Sequence, residues 1–471
     1  MSGQRTLFRN AIVLTIDPAT GDLWPGEVLV EDGKIAAVGT DLGVDPGAAE
    51  TIDADGGILM PGLVDTHRHI WQTPLRSLSS DWTLLHYFTG LHAGFSRHFR
   101  PEDTYAGNYL GTLDALNGGI TTILDWSHNL ATPDHSDGAV KGLMDSGARA
   151  VFAHGSGPRQ YQVPSTILHD PDVRRVRDEY FTSDDQLVTM AIALRGPQYA
   201  TRDVNRADYA LARELDLRIT VHVGDGDFGK EGPVRWLHEA GLMGPDVTYV
   251  HCNSIGDDEI KMIADSGGTA SVAADIELSM GHGWPATGRL LEAGLRPSLS
   301  IDICSLNGGA MFGTMRTTLL TQRGLDHAAS ERAIGHPSPD LGISCRDIVE
   351  FATIEGARAT GLDHRIGSIM PGKDADLILI RTDDISTGPT INPYGTVVFD
   401  AHPGVVDLVM VGGEFRKRDA KLVGVDNGVL RRLGEDSLDY LMAQAQEDPA
   451  ICGARVGGDW VPEAYEVNVK A

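Results

Sequence analysis

Hydrophobic positions along the chain change their period after the first ~55 residues. Up to there, LFRNAIVLTI and GEVLVEDGKIAAVG alternate or run apolar over short stretches, broken by the turn chemistry of DPATGD and EDGK. This predicts short strands of a small β-sandwich. From GILMPGLVDTH onward, apolar runs alternate with amphipathic segments. The later runs are GITTILDW, ARAVFAHG, LVTMAIALRG, RITVHVGD, VTYVHCNS, TASVAADIE and RPSLSIDICS, which with the first make eight. Between them lie helical patterns such as VNRADYALARELDL and GDDEIKMIADSG, several closed by Gly. Eight strands alternating with helices predict a parallel (β/α)8 barrel, an α/β TIM-barrel fold. An open doubly wound sheet is the alternative, but no GxGxxG stands at the first βα turn.

Beyond the eighth run, GSIMPGKDADLILIRTD and VVDLVMVGGEFRKRDAKLVG return to short β segments and complete the N-terminal sandwich. The expected division is 1–58 for the first part of the sandwich, 59–368 for the barrel, 369–430 for the second part, and 431–471 for a C-terminal helix and tail.

Charge narrows the partners. Lys and Arg number 39 against 66 Asp and Glu, a net charge of −27. Such an acidic chain repels nucleic acid and anionic membrane, and no basic stripe offsets it. No apolar run is long enough to span a bilayer, and MSGQRTLFRN has no apolar core of a secretory signal. Cys252, Cys304, Cys345 and Cys452 form no CxxC pair. A cytoplasmic protein acting on a small molecule is expected.

Candidate chemistry lies where strands of a barrel end, because the C-terminal ends of the strands form its active mouth. The first run closes on VDTHRH. The strand period of two puts His67 and His69 on one face. The fifth closes on His222, the sixth on His251 and the eighth on Asp302. Singly, each has an ordinary reading: His222 as a satisfied core histidine, Asp302 as a helix cap. Together, four imidazoles and a carboxylate at one mouth point to a metal, because polar groups buried there are costly without a partner.

PGLVDTHRH, VHVGD, YVHCNSIGDDEI, LLEAGLRPSLSIDICS and PGKDADLILI resemble the amidohydrolase superfamily. The closest likeness is to its branch of cytosine and guanine deaminases, triazine hydrolases and related enzymes. The resemblance spans nearly the whole chain. It implies that His67, His69, His222 and Asp302 ligate one divalent ion, Zn²⁺ foremost, with Fe²⁺, Co²⁺ or Mn²⁺ as alternatives. It also implies that His251 faces substrate and nucleophile, and that the protein is a homo-oligomer. Superfamily members with two metals bridge them by a carboxylated lysine on the fourth strand. LVTMAIALRGP has none, so a single metal is expected.

A bound zinc brings the pKa of its water toward ~7, supplying hydroxide at neutral pH. Asp302 would take the water's proton, and the leaving amine needs one. The expected function is a metal-dependent hydrolase of C–N bonds other than peptide bonds, deaminating an aminated N-heterocycle or cyclic amidine. Amide, urea or carbamate hydrolysis and triazine-type dechlorination use the same nucleophile and stand as alternatives. A relative kept only for binding would have lost ligands, and this chain retains them.

The chain departs from the family pattern in two places. Where related deaminases carry a glutamate three residues after the fifth-strand histidine, this chain has Asp225, shorter by about 1.5 Å. Asp225 is either the proton-transfer acid or a loop acid of GDGDFG. Where relatives tend to read PxSNxxLxxG, this chain reads ADIELSMGHG, with Glu277 in the Asn slot and His282 before the last Gly. Both are candidates for substrate contact or for bracing the loop. Gln72 is expected to contact substrate by resemblance. Trp82 is expected there as one of the aromatic rim residues, with Trp71, Phe88 and Trp284. The segment SSDWTLLHYFTGLHAGFSRHF is expected to cover the mouth, its His86, His92 and His98 serving as surface or packing residues. His128 and His154 close the second and third strands.

Overall fold

The computed structural model describes residues 5–45, 47–157 and 164–447. Two sheets organise the chain. The first is a ring of parallel strands: Leu63–His69, Ile120–Ser127, Arg149–His154, Val188–Leu194, Arg218–Val223, Val247–His251, Thr269–Val272 and a divided eighth strand. Ser298–Leu299 pairs with the seventh strand, and Asp302–Ile303 pairs with the first, which closes the barrel. The division is held by Asp65, whose Oδ1 accepts the Ile301 N–H at 3.1 Å.

The second sheet draws strands from both ends of the chain. Arg5–Val13 pairs with Leu23–Glu31, with Glu50–Asp53 and with Ile58–Pro61. Ile58–Pro61 pairs in turn with Leu377–Ile380, which continues to Val406–Val411 and Glu414–Arg418. Side chains here sort by strand alternation. Leu59, Leu377 and Leu379 enter the sheet's own core with Phe8, Val28 and Met410. Ile58, Met60, Ile378 and Ile380 face the barrel core. The expected boundary after residue 58 therefore falls inside a strand of the terminal sheet, and the barrel begins at Leu63. Gly62 turns the chain between the two; a Cβ there would lie 2.0 Å from Thr121 Oγ1, so only glycine fits.

The C-terminal helix runs over Asn427–Glu447, starting four residues before the expected 431. It packs on the helix Pro101–Asn117 and, through Leu441, against Trp71 and Phe95. The expected tail and Cys452 lie outside the described residues. Among the described residues no helix is long and apolar enough to cross a membrane.

Candidate active site

Each polar residue at the mouth sits at or beside a strand end. His67 and His69 close the first strand, His222 the fifth and His251 the sixth, while Asp302 opens the last segment of the eighth. His251 and Asp302 hold φ of 77° and 67°, left-handed values that cost a non-glycine residue about 1 kcal/mol.

The five groups converge. One ligand atom each from His67, His222 and His251 lie within 4.8 Å of one another, as do those of His67, His69 and Asp302. Both sets share His67, so they form one site. His67 Nε2 stands 3.2 Å and His69 Nε2 3.4 Å from Asp302 Oδ1. His251 Nε2 is 3.9 Å from Oδ2.

Tautomers and charge follow from the partners. His69 Nδ1 donates to the Trp126 carbonyl at 2.9 Å, which leaves a bare lone pair on Nε2, aimed at the cluster. His67 is fully buried, and neither of its ring nitrogens has a well-aligned hydrogen bond among the described residues. Burial pushes His67, His69 and His222 below the ordinary imidazole range, so all three are neutral donors of electron pairs. Burial opposes the charge on Asp302, yet the surrounding imidazoles outweigh it and keep the carboxylate ionised. Three neutral imidazoles with unspent lone pairs and one carboxylate are the donor set of a divalent cation such as zinc, and the residues fit that ion.

His251 differs from the other imidazoles. Burial disfavours its charge, but the hydrogen bond to Glu277 and the nearby carboxylates Asp302 and Asp225 prevail, raising its pKa to about 9. Its Nδ1 donates to Glu277 Oε1 at 3.2 Å, and the same oxygen accepts the Ala273 N–H at 2.9 Å. Glu277 thus stands behind His251, braced by its own helix, and does not line the cavity. His282 does line it, its ring centroid 4.7 Å from that of His251.

A cavity of about 40 Å³ opens above the cluster. That is small against the roughly 300–1,000 Å³ typical of ligand sites. The segment expected to cover the mouth supplies Leu84, Tyr87, Phe88 and His92 to its lining. Opposite walls come from Tyr199, Asp225, Ile276 and Met280. A larger groove of about 710 Å³ runs beside the C-terminal helix, and none of these histidines lines it.

Several expected residues stand elsewhere. Trp82 is buried among Trp71, Leu75, Leu91 and Phe95, away from the cavity lining, because the indole is the largest apolar surface that the covering segment has to bury. Gln72 is also buried behind the lining. Its Nε2 donates to the Tyr87 hydroxyl at 2.6 Å and its Oε1 accepts from Ser305 at 3.0 Å, so the amide is spent on holding Tyr87. Trp71 is fully buried, whereas Trp284 is 63% exposed. Of the aromatic residues expected at the rim, Phe88 lines the cavity. Cys304, two residues past Asp302, is buried and off the lining.

His92 and His128 were not assigned to the site from the sequence, yet both line it. Trp71 Nε1 donates to His128 Nδ1 at 3.0 Å, so the His128 proton sits on Nε2 and is given to His92 Nε2 at 2.9 Å. The His128 ring stacks on His69 at 3.9 Å. Position at a strand end marks His128; only the fold of the covering segment brings in His92.

The chain is similar to known proteins in sequence and in fold. The family model described as the amidohydrolase family matches residues 58–416. The 5'-deoxyadenosine deaminase of Methanothermobacter thermautotrophicus is 29% identical over 88% of this chain and 94% of its own length. The 5-methylthioadenosine/S-adenosylhomocysteine deaminase of Symbiobacterium thermophilum is 29% identical over 86% and 92%. Among solved structures, an adenosine deaminase from Xanthomonas campestris with bound zinc superposes with a TM-score of 0.79 at 23% identity, covering 93% of this chain and 98% of that one. With a closed barrel, a terminal sheet built from both ends and a family match over most of its length, the chain belongs to the amidohydrolase family.

Proposed function

We propose that this metal-dependent hydrolase removes the amino group from an aminated N-heterocycle or cyclic amidine, with one zinc ion held by His67, His69, His222 and Asp302. The observation that carries the reading is the meeting of neutral imidazoles and an ionised carboxylate beneath a cavity with aromatic walls. The deaminase names of the relatives at 29% identity support the choice of reaction. Zinc supplies Lewis acidity that makes water a nucleophile at neutral pH; Fe²⁺, Co²⁺ or Mn²⁺ suit the same nitrogen and oxygen donors.

The chain's own residues do the rest. Asp302, ionised in place, takes a proton from the attacking water. His251, kept charged by Glu277, faces the negative charge that develops as water adds to the ring carbon. Asp225 carries a proton toward the ring nitrogen, and ammonia departs. Tyr87, Phe88, Ile276 and Met280 give a flat ring its apolar walls. The same reading makes the protein a cytoplasmic homo-oligomer, which fractionation and light scattering test.

The decisive experiment strips metal with a chelator, restores zinc, and offers a panel of amino-heterocycles, ureas, carbamates and chlorotriazines. Ammonia from the amino-heterocycles, lost with the metal and regained with it, is expected. Amine or chloride release without ammonia rejects deamination in favour of amide-type hydrolysis or dechlorination.

A further inference from the structure

We propose that the phenol of Tyr199 is a catalytic acid that works in series with Asp225, handing the proton to the substrate's ring nitrogen. This rests on the deaminase reading above. Asp225 occupies the slot where related deaminases present a glutamate, and it is one methylene shorter. Both of its oxygens are engaged: Gln198 Nε2 donates to Oδ1, and the Tyr199 hydroxyl donates to Oδ2. Gln198 is itself fixed, because its Oε1 accepts the Gly224 N–H at 2.8 Å.

Local structure aims the phenol. The fourth strand ends at Leu194, and the turn that follows needs Gly196. Its φ is +75°, and a Cβ there would lie 2.2 Å from Val221 Cγ2. The short helix Gly196–Tyr199 then delivers the ring into the cavity lining. Phe228 packs on it at 5.0 Å and Phe88 at 6.0 Å, and its centroid is 6.5 Å from that of His222. The phenol therefore lines the same cavity as the ligand cluster and touches the shortened acid. A glutamate's missing reach is replaced by a second side chain.

The step balances. Asp302 gains one proton of the attacking water and Asp225 gains the other. As the carbon–oxygen bond forms, the Tyr199 O–H proton passes to the ring nitrogen and the Asp225 proton refills the phenol. The Asp302 proton leaves with the amino group as ammonia when the carbon–nitrogen bond breaks. The ring keeps the Tyr199 proton, as a lactam.

The test uses the zinc-loaded protein and the amino-heterocycle from the panel that the wild type turns over fastest. Tyr199→Phe is expected to lower kcat about 100-fold with zinc content unchanged. Asp225→Asn is expected to lower it at least as far, and the double variant no further than the worse single one. Adding Asp225→Glu to Tyr199→Phe lets the longer acid reach the ring directly, and is expected to recover at least about tenfold over Tyr199→Phe alone. Should Tyr199→Phe fail to fold, 3-fluorotyrosine at position 199 keeps the shape and acidifies the phenol; the basic limb of the kcat profile then moves to lower pH. A Tyr199→Phe variant within threefold of an active wild type, losses that multiply, or an unmoved limb overturns the relay alone. A wild type that yields no ammonia from the panel overturns the deaminase reading and the relay with it.

Discussion

The two ends of the barrel both bury charge, and they do so in opposite ways. At the base, Arg149 opens the third strand and donates to Asp376 at 2.7 Å and to Asp374 at 2.9 Å. Asp374 also meets Lys34 at 2.7 Å and Arg365 at 2.8 Å, and Asp376 accepts the Gly412 N–H at 2.8 Å. Charges there answer one another and pin the barrel to the terminal sheet. At the mouth, three imidazoles are kept neutral beside Asp302, and among the described residues neither ring nitrogen of His67 has a well-aligned hydrogen bond. A buried charge cluster with its partners in place is a fastening. One that lacks partners is a place prepared for something else.

That contrast breaks most sharply at His67. His67→Gln is expected to abolish zinc binding and lower activity at least about 1,000-fold, read by metal analysis and ammonia release. In metal-free protein the same change moves stability by no more than about 1 kcal/mol, because the ring has only its poorly aligned 3.2 Å contact with Asp302 to lose. A metal-free His67→Gln protein that unfolds would make the mouth a fastening as well.

At the base the effects reverse. Arg149→Met leaves Asp376 without its cation and is expected to cost about 3 kcal/mol in urea unfolding, while activity per folded molecule and zinc content stay unchanged. An equal loss of zinc would show that the two ends are not independent.

Between these lies Glu277. Glu277→Gln keeps the Ala273 contact but removes the charge that faces His251. Activity is expected to fall about tenfold at pH 7 with zinc retained, the scale of one displaced proton equilibrium.

The last effect is one of slope. Burial lowers the pKa of His282 to about 4 and that of His92 to about 3. In the unfolded chain both would bind a proton near pH 6.5, so below that pH the unfolded state takes up more protons and stability falls. In metal-free protein, His282→Gln should flatten this fall by up to about 1.4 kcal/mol per pH unit between pH 6.5 and 4, measured by urea titration at each pH. An unchanged slope would mean that the His282 ring is charged in the folded state.

The mouth's half of this contrast was legible in order along the chain. Period-two spacing put His67 and His69 on one face, and the strand-end rule gathered His222, His251 and Asp302 with them. The substrate wall was not legible, for two physical reasons. Gln72 and Trp82 lie in irregular chain, where no period says which way a side chain points. Their partners, Tyr87 and Ser305 for one and Trp71 and Phe95 for the other, are set by long-range packing. His92 sits in a single π-helical stretch, Tyr87–His92, inside the covering segment, and its neighbour His128 directly follows the second barrel strand. Glu277 was legible as an oddity of its slot, but the histidine it faces was not.

The sequence by itself determined the barrel, the composite terminal sheet and the cluster of candidate ligands, because strand alternation and strand ends are local properties that repeat. Only the tertiary structure decided that His251 alone among the four imidazoles is charged, that Glu277 holds it, and that Asp225 is tied to Gln198 and Tyr199. Those outcomes depend on which distant groups share a buried volume, where desolvation and a few ångströms set protonation, and residue order does not encode such distances.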